Sequence, residues 1–231
     1  MKKSRMFRFV SETWNPMVGC LHMCSYCWAR RIARRFAHTC RLCYEFKPHM
    51  HWERLNRKWR KPKIVFVVDM GDLFCDGIPS DWIVRILNAI RLNPKSYFLL
   101  QTKNPKRYDE FVEYFGKNVI LGATIETNIF PITDRISRAP RPEERYRAMR
   151  DVSWENKFVS IEPILDFDLD VMIKWISDIE PMRVAVGYDN YNNRLDEPPL
   201  RKTLKLIEEI EAIGIEVERK TLRKAWWERL Y

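Results

Sequence analysis

Cys20, Cys24 and Cys27 stand at the spacing C-x3-C-x2-C directly after a short apolar stretch. Three thiolates held so closely can ligate three irons of a cubane cluster and leave the fourth open to a small ligand. Cys40, Cys43 and the four histidines, His22, His38, His49 and His51, fall in the same 32-residue stretch, and Cys75 alone lies outside it. Met1 to Arg8 is basic with no apolar signal-peptide core after it, and the longest apolar runs, such as Ile64 to Val68, are too short to span a bilayer. A cytoplasmic, reducing setting without a membrane partner is expected, where clustered cysteines bind metal more often than they form disulfides.

The second pair, Cys40 and Cys43, has three readings. With His38, His49 or His51 it binds zinc or an additional cluster, His49 and His51 being the favoured extra ligands, or it is a pair of buried thiols. Cys24-x2-Cys27 and Cys40-x2-Cys43, 12 residues apart, also resemble a four-cysteine zinc ribbon, which makes the chain a zinc-stabilised nucleic-acid-binding module and leaves Cys20 over. Cys75 reads as structural, and His22 as a solvent-facing residue.

The formal net charge is +10, but it is local: residues 1–63 hold 16 Lys and Arg against Glu12, Glu45 and Glu53, so this stretch carries +13 and the rest −3. Arg30, Arg31, Arg34 and Arg35, and then Arg57, Lys58, Arg60 and Lys61, are interleaved with Phe36, Trp52 and Trp59. Cations for phosphates and rings for bases suit DNA or RNA, and a solvated face with snorkelling arginines is the plain alternative.

These residues need elements to hold them. From Lys63 onward short apolar runs, polar tips and amphipathic stretches alternate, which predicts β/α units. Strands are expected at Phe7–Val10, Ile64–Val68, Tyr97–Leu100, Val119–Ala123, Phe158–Ile161, Arg183–Val186 and Ile215–Val217. Helices are expected at Ser80–Arg91 with Ser80 or Asp81 as cap, from Pro105 to Phe115, at Asp168–Ser177 and at Pro199–Ile213, with two short ones among Pro131, Pro140 and Pro142. The units imply a parallel α/β sheet with right-handed crossovers, in one domain over residues 1–231 with a basic Cys/His-rich excursion at about 20–63. Function then belongs at the carboxyl ends of the strands, where Asp69, Asp72, Gln101, Lys103, Thr124, Glu126, Ser160, Glu162 and Asp189 fall.

A thiolate triad after the first strand of such a fold resembles the radical S-adenosylmethionine superfamily, with its C-x3-C-x-aromatic-C motif and Tyr26 in the aromatic place. A closer resemblance rests on Thr13-Trp14-Asn15-Pro16, Gly19-Cys20, Cys27-Trp28-Ala29, Asp72-Leu73-Phe74, Leu100-Gln101-Thr102-Lys103, Gly122-Ala123-Thr124-Ile125-Glu126 and Ser160-Ile161-Glu162-Pro163. Together they look like the successive motifs of a partly phage-borne family of three-cysteine radical-SAM-like proteins that carries no established substrate. Many of its members space the first two cysteines more widely, and they tend to a Gly-Gly-Glu-like end where this chain has Gly187-Tyr188-Asp189.

The resemblance implies an incomplete parallel (β/α)6-type barrel and a 4Fe-4S cluster on Cys20, Cys24 and Cys27. It also implies reductive cleavage of S-adenosylmethionine to a 5′-deoxyadenosyl radical that takes hydrogen from a substrate, with a flavodoxin- or ferredoxin-like electron donor. Tyr26 joins the cofactor site on this view. Thr124 or Glu126 and Ser160 or Glu162 are candidates for the ribose hydroxyls or the amino group, and Asp72 and Lys103 for the amino and carboxylate ends. A non-catalytic partner subunit of a mobile-element system is the third alternative.

Overall fold

Ile64-Val65-Phe66-Val67 is apolar at every position, as a parallel strand covered on both faces requires. The computed structural model describes residues 6–229. In chain order its strands are β1 (Glu12–Trp14), β2 (Met17–Val18), β3 (His49–Met50), β4 (Ile64–Val67), β5 (Tyr97–Thr102), β6 (Val119–Thr124), β7 (Lys157–Ile161), β8 (Arg183–Val186) and β9 (Glu216–Arg219). Among the described residues seven of these pair in parallel, in the order β1-β4-β5-β6-β7-β8-β9, and β2 and β3 form a separate antiparallel pair. The parallel strands make a curled half-barrel, an incomplete α/β barrel.

Alternation along each strand divides two cores. Val65, Val67, Phe98, Leu100, Val159, Ile161, Val184 and Val186 face outward, onto the helices. Phe66, Leu99, Ile120, Phe158 and Ala185 face inward and form a second cluster with Phe7 and Val10. Nearer the carboxyl ends the inward positions turn polar at Gln101, Thr124 and Ser160. Between them Gly122 is tight, since an added Cβ would lie 3.1 Å from the Leu99 side chain and 3.2 Å from that of Phe158.

The segment Phe7–Val10, expected as the first strand, is an irregular apolar plug at the amino end of the sheet. The Phe7 ring lies 4.9 Å from that of Phe158, and the Arg8 backbone N–H donates to Glu218 of β9 at 2.6 Å. The true first strand, Glu12-Thr13-Trp14, sits at the sheet edge and shows no apolar run. A short apolar run fits a plug as well as a strand, and periodicity alone does not separate them.

Helices are α1 (Trp28–Ala33), α2 (Arg41–Glu45), α3 (Ser80–Arg91), α4 (Pro142–Asp151), α5 (Leu169–Ile179) and α6 (Leu200–Ala212). The expected bounds of α3 hold, but Pro79 occupies the cap position, so neither Ser80 nor Asp81 is the cap. Pro105 opens a 3-10 helix to Tyr114. Asp168 caps α5, its carboxylate accepting the Val171 N–H at 3.0 Å. Among the described residues no helix is long and apolar enough to cross a membrane.

Candidate active site

All seven parallel strands end on one rim, and the cysteine loop hangs over it. Its anchor is Gly19, at φ +104°, whose N–H donates to the Met70 carbonyl at 3.0 Å. A Cβ on Gly19 would lie 2.3 Å from the Lys47 carbonyl carbon, so only glycine lets the two backbones pass so closely. The next residue is Cys20.

All three thiols of the loop are free. Cys20 accepts the His22 N–H at 3.4 Å, and Cys27, the cap of α1, accepts the Arg30 N–H at 3.4 Å. Cys24 lies 3.2 Å from the Ser137 hydroxyl. Free thiols in one short loop, two of them already receiving backbone N–H groups, fit a cluster-ligating set, because such hydrogen bonds stabilise and tune sulfur-bound iron.

His22 is not solvent-facing. It is 4% exposed, its Nε2 lies 2.9 Å from Asp72 and its Nδ1 3.6 Å from the Cys75 sulfur. Cys20, His22 and Cys75 bring their ligand atoms within 4.8 Å of one another, so Cys75, buried in the outer core, also faces the rim. Burial disfavours the imidazolium, but the charge and hydrogen bond of Asp72 outweigh it and raise His22 to about 10. The hydrogen bond between the two thiols holds Cys20 well above its ordinary value and, with His22, brings Cys75 down to about 6. Asp72 is buried among four donors: His22, the Thr102 hydroxyl at 2.6 Å, and the backbone N–H groups of Lys103 at 2.8 Å and Phe74 at 3.0 Å.

Beside this cluster Tyr26, Lys103 and Glu126 converge. The Tyr26 hydroxyl donates to Glu126 Oε1 at 2.5 Å, and Lys103 Nζ contacts both the Tyr26 oxygen, at 2.9 Å, and the same carboxylate. Arg145 closes the group from below, donating to Glu126 Oε2 at 2.6 Å and to the Thr124 carbonyl at 2.9 Å. Burial opposes charge on Glu126, yet Arg145 and Lys103 hold its carboxyl at about 2. Burial and the Glu126 charge together raise the Tyr26 hydroxyl well above the usual phenol range. Gln101 donates to the Thr124 hydroxyl at 2.9 Å. Gln101 Oε1 and Arg145 Nη2 are buried without a hydrogen-bond partner, which is where a polar cofactor would find one. Ser160 is buried on the inner face, and Glu162 lies beside Gly187, 3.8 Å from Lys220, with burial raising its pKa.

The four-cysteine ribbon is not formed. Cys24 packs with Tyr26, Leu165 and Leu195, whereas the ligand atoms of Cys40, Cys43, His49 and His51 gather within 4.8 Å of one another. The basic residues are also divided. Arg30 to Arg35 lie on and after α1, beside the cysteine loop, where Arg30 covers the Phe46 ring and Arg31 the Tyr191 ring. Arg57 donates to Glu12 at 2.9 Å, so it and the exposed Lys58, Arg60 and Lys61 sit at the amino end, opposite the rim. A cleft of about 740 Å³ opens beyond β8 and β9 between Asp189, Asn190, Arg194, Thr221, Arg223 and Trp226, and Arg31 donates to Asn193, next in sequence to the lining Arg194.

Arg145 escaped the sequence reading, although α4 carried a signal for it. Residues 142, 145, 146 and 149 form the buried face of that helix, so an arginine stands at a core position. A charge there needs a buried partner.

A family model described as "Protein of unknown function (DUF5131)" matches residues 4–187. No curated protein sequence matches the chain. Among solved structures, a double mutant of spore photoproduct lyase with bound AdoMet and dinucleoside spore photoproduct is similar at TM-score 0.60 and 8% identity, over 91% of this chain and 65% of that one. Streptococcus suis SuiB bound to S-adenosylmethionine is similar at TM-score 0.58 and 11% identity, over 91% of this chain and 46% of that one. SuiB bound to precursor peptide SuiA gives TM-score 0.58 at 13% identity, over 91% and 49%. The likeness is one of fold, and the chain spans under two thirds of the lyase's length and about half of SuiB's.

Proposed function

The chain belongs to the family described as protein of unknown function (DUF5131), and from its half-barrel and rim we propose that it is a radical S-adenosylmethionine enzyme acting on nucleic acid. One observation carries the reading: three free thiols in one loop, Cys20, Cys24 and Cys27, held over the carboxyl ends of a parallel half-barrel. A 4Fe-4S cluster on these thiols would supply the electron for reductive cleavage of S-adenosylmethionine, drawn from a flavodoxin- or ferredoxin-like donor.

The chain's own residues have separate tasks. The N–H groups of His22 and Arg30 steady the thiolates of Cys20 and Cys27. Gln101 Oε1 and Arg145 Nη2 offer an acceptor and a donor to the cosubstrate. Thr124, Ser160 and Glu162 line the same rim, and Tyr26 and Lys103 link it to the cysteine loop. The apolar inner cluster below excludes water from reactive carbon centres. Two known users of the fold carry a dinucleoside and a precursor peptide. The arginines on and after α1, next to the polar cleft, favour the polynucleotide for this chain.

The test is anaerobic reconstitution with iron and sulfide, followed by dithionite and S-adenosylmethionine. Brown protein that forms 5′-deoxyadenosine is expected, with both properties lost in Cys24→Ala. A colourless, spectroscopically silent product from folded protein would end the reading.

A further inference from the structure

Cys40, Cys43, His49 and His51 sit in the hairpin-like excursion that the proposed reaction does not use. His49 Nε2 lies 3.4 Å from Cys40 Sγ, 3.4 Å from Cys43 Sγ and 3.1 Å from His51 Nε2, and His51 Nε2 lies 3.2 Å from Cys43 Sγ. Zinc bonds of about 2.3 Å to sulfur and 2.0–2.1 Å to nitrogen place tetrahedral ligand atoms roughly 3.3–3.8 Å apart. The four side chains already stand at nearly that spacing.

The tautomers argue for a cation. His49 Nδ1 is 2.8 Å from the Lys47 carbonyl, which only accepts, so Nδ1 carries the hydrogen and Nε2 a lone pair. His51 turns its Nδ1 toward the Glu53 carboxylate at 3.4 Å, which assigns its Nε2 the same way. Two imidazole lone pairs and two sulfurs then face one small volume, the donor set that a cation takes up when the thiols give up their hydrogens. Ligating histidines are commonly oriented by just such a carbonyl or carboxylate behind the ring.

The local fold builds this set. Cys40 caps α2 and accepts the Cys43 N–H at 3.5 Å; Phe46, at φ +55°, then ends the helix and returns the chain through Lys47 and Pro48 to His49. That return runs against Gly19, and His49 pairs with Val18 across β2 and β3. We propose that Cys40, Cys43, His49 and His51 form a closed, four-coordinate zinc site, distinct from the cysteine loop, that fastens the backbone leading into Cys20. With four protein ligands it is a structural site, not a hydrolytic one.

Elemental analysis of the full chain, purified with no metal added, should find about one zinc per chain. Cys43→Ala/His49→Ala should lower this about tenfold or more, as loss of first ligands must exceed the 10–100-fold effect of their outer partners. Cys24→Ala should leave it unchanged. Should the double variant not fold, cobalt(II)-exchanged wild type gives the answer: tetrahedral ligand-field bands are expected, and His51→Cys, which keeps four ligands, should shift them to lower energy. Removing the metal with a chelator should lower the melting temperature. Folded wild type free of zinc, zinc retained in the double variant, cobalt bands unmoved by His51→Cys, or iron on these residues would each overturn the proposal. None of these readouts involves sulfide, reductant or S-adenosylmethionine, so failure of the proposed reaction leaves them intact.

Discussion

Glu126 presents one oxygen to Lys103 and Tyr26 and the other to Arg145, and both its carboxylate and the guanidinium are fully buried. Removing one member of such a pair strands the other charge in a low-permittivity site. Glu126→Ala is therefore expected to cost about 3–5 kcal/mol in chemical denaturation, before any effect on cofactor binding. The pH dependence has the same origin. The folded carboxyl lies at about 2 against an ordinary 4.5, so its contribution is full above about 4.5 and is lost as pH falls from there toward 2. An acid-unfolding profile that is steep in this window for the wild type and flat there for Glu126→Gln is the expected result. Glu162, partly exposed and paired only loosely with Lys220 at 3.8 Å, is the cleaner probe of the rim. Glu162→Gln should keep stability and weaken S-adenosylmethionine binding; unchanged affinity removes it from the site. Lys103 and Glu126 were legible because a polar residue at a strand tip is visible in one dimension. His22 and Arg145 were not, since their partners Asp72 and Glu126 lie 50 and 19 residues away.

Strands β4 to β8 were legible because burial on both faces leaves mostly apolar runs in the chain, while the edge strands β1 (Glu-Thr-Trp) and β9 (Glu-Val-Glu-Arg) leave none. The β2–β3 pair was invisible for another reason: two residues on each side carry no period, and only the close approach at Gly19 fixes the register. That contact sets an expectation at the scale of the element. Gly214 has φ +86° but nothing within 4 Å of a built Cβ, so Gly214→Ala should show only the backbone penalty of about 1–2 kcal/mol. Gly19→Ala carries that penalty and a collision with Lys47 and Pro48 as well. It should destabilise more than Gly214→Ala in parallel denaturation curves and lower zinc and reconstituted iron together. Equal losses for the two variants would mean that the β2–β3 contact is soft.

Across the whole molecule, the positive charge that looks continuous in the first 63 residues is split between opposite ends of the sheet. Of the two clusters, Arg30, Arg31, Arg34 and Arg35 share an end with the cysteine loop, and Arg57, Lys58, Arg60 and Lys61 do not. Arg34→Glu/Arg35→Glu should therefore weaken single-stranded DNA or RNA binding steeply and flatten its salt dependence, while Lys58→Glu/Lys61→Glu should do neither. A filter-binding titration at several salt concentrations decides it, and equal effects would return the partner surface to the amino end. The plug at that amino end has a mechanical corollary. Among the described residues β1 and β9 share no ladder; the plug lies at the base, its Phe7 ring on Phe66 of β4 and Phe158 of β7 and its Arg8 N–H on Glu218 of β9. Joined at its base and unlaced at its rim, the sheet leaves the gap between its two edge strands widest in hydrogen-bonding terms at the end where the cysteine loop lies.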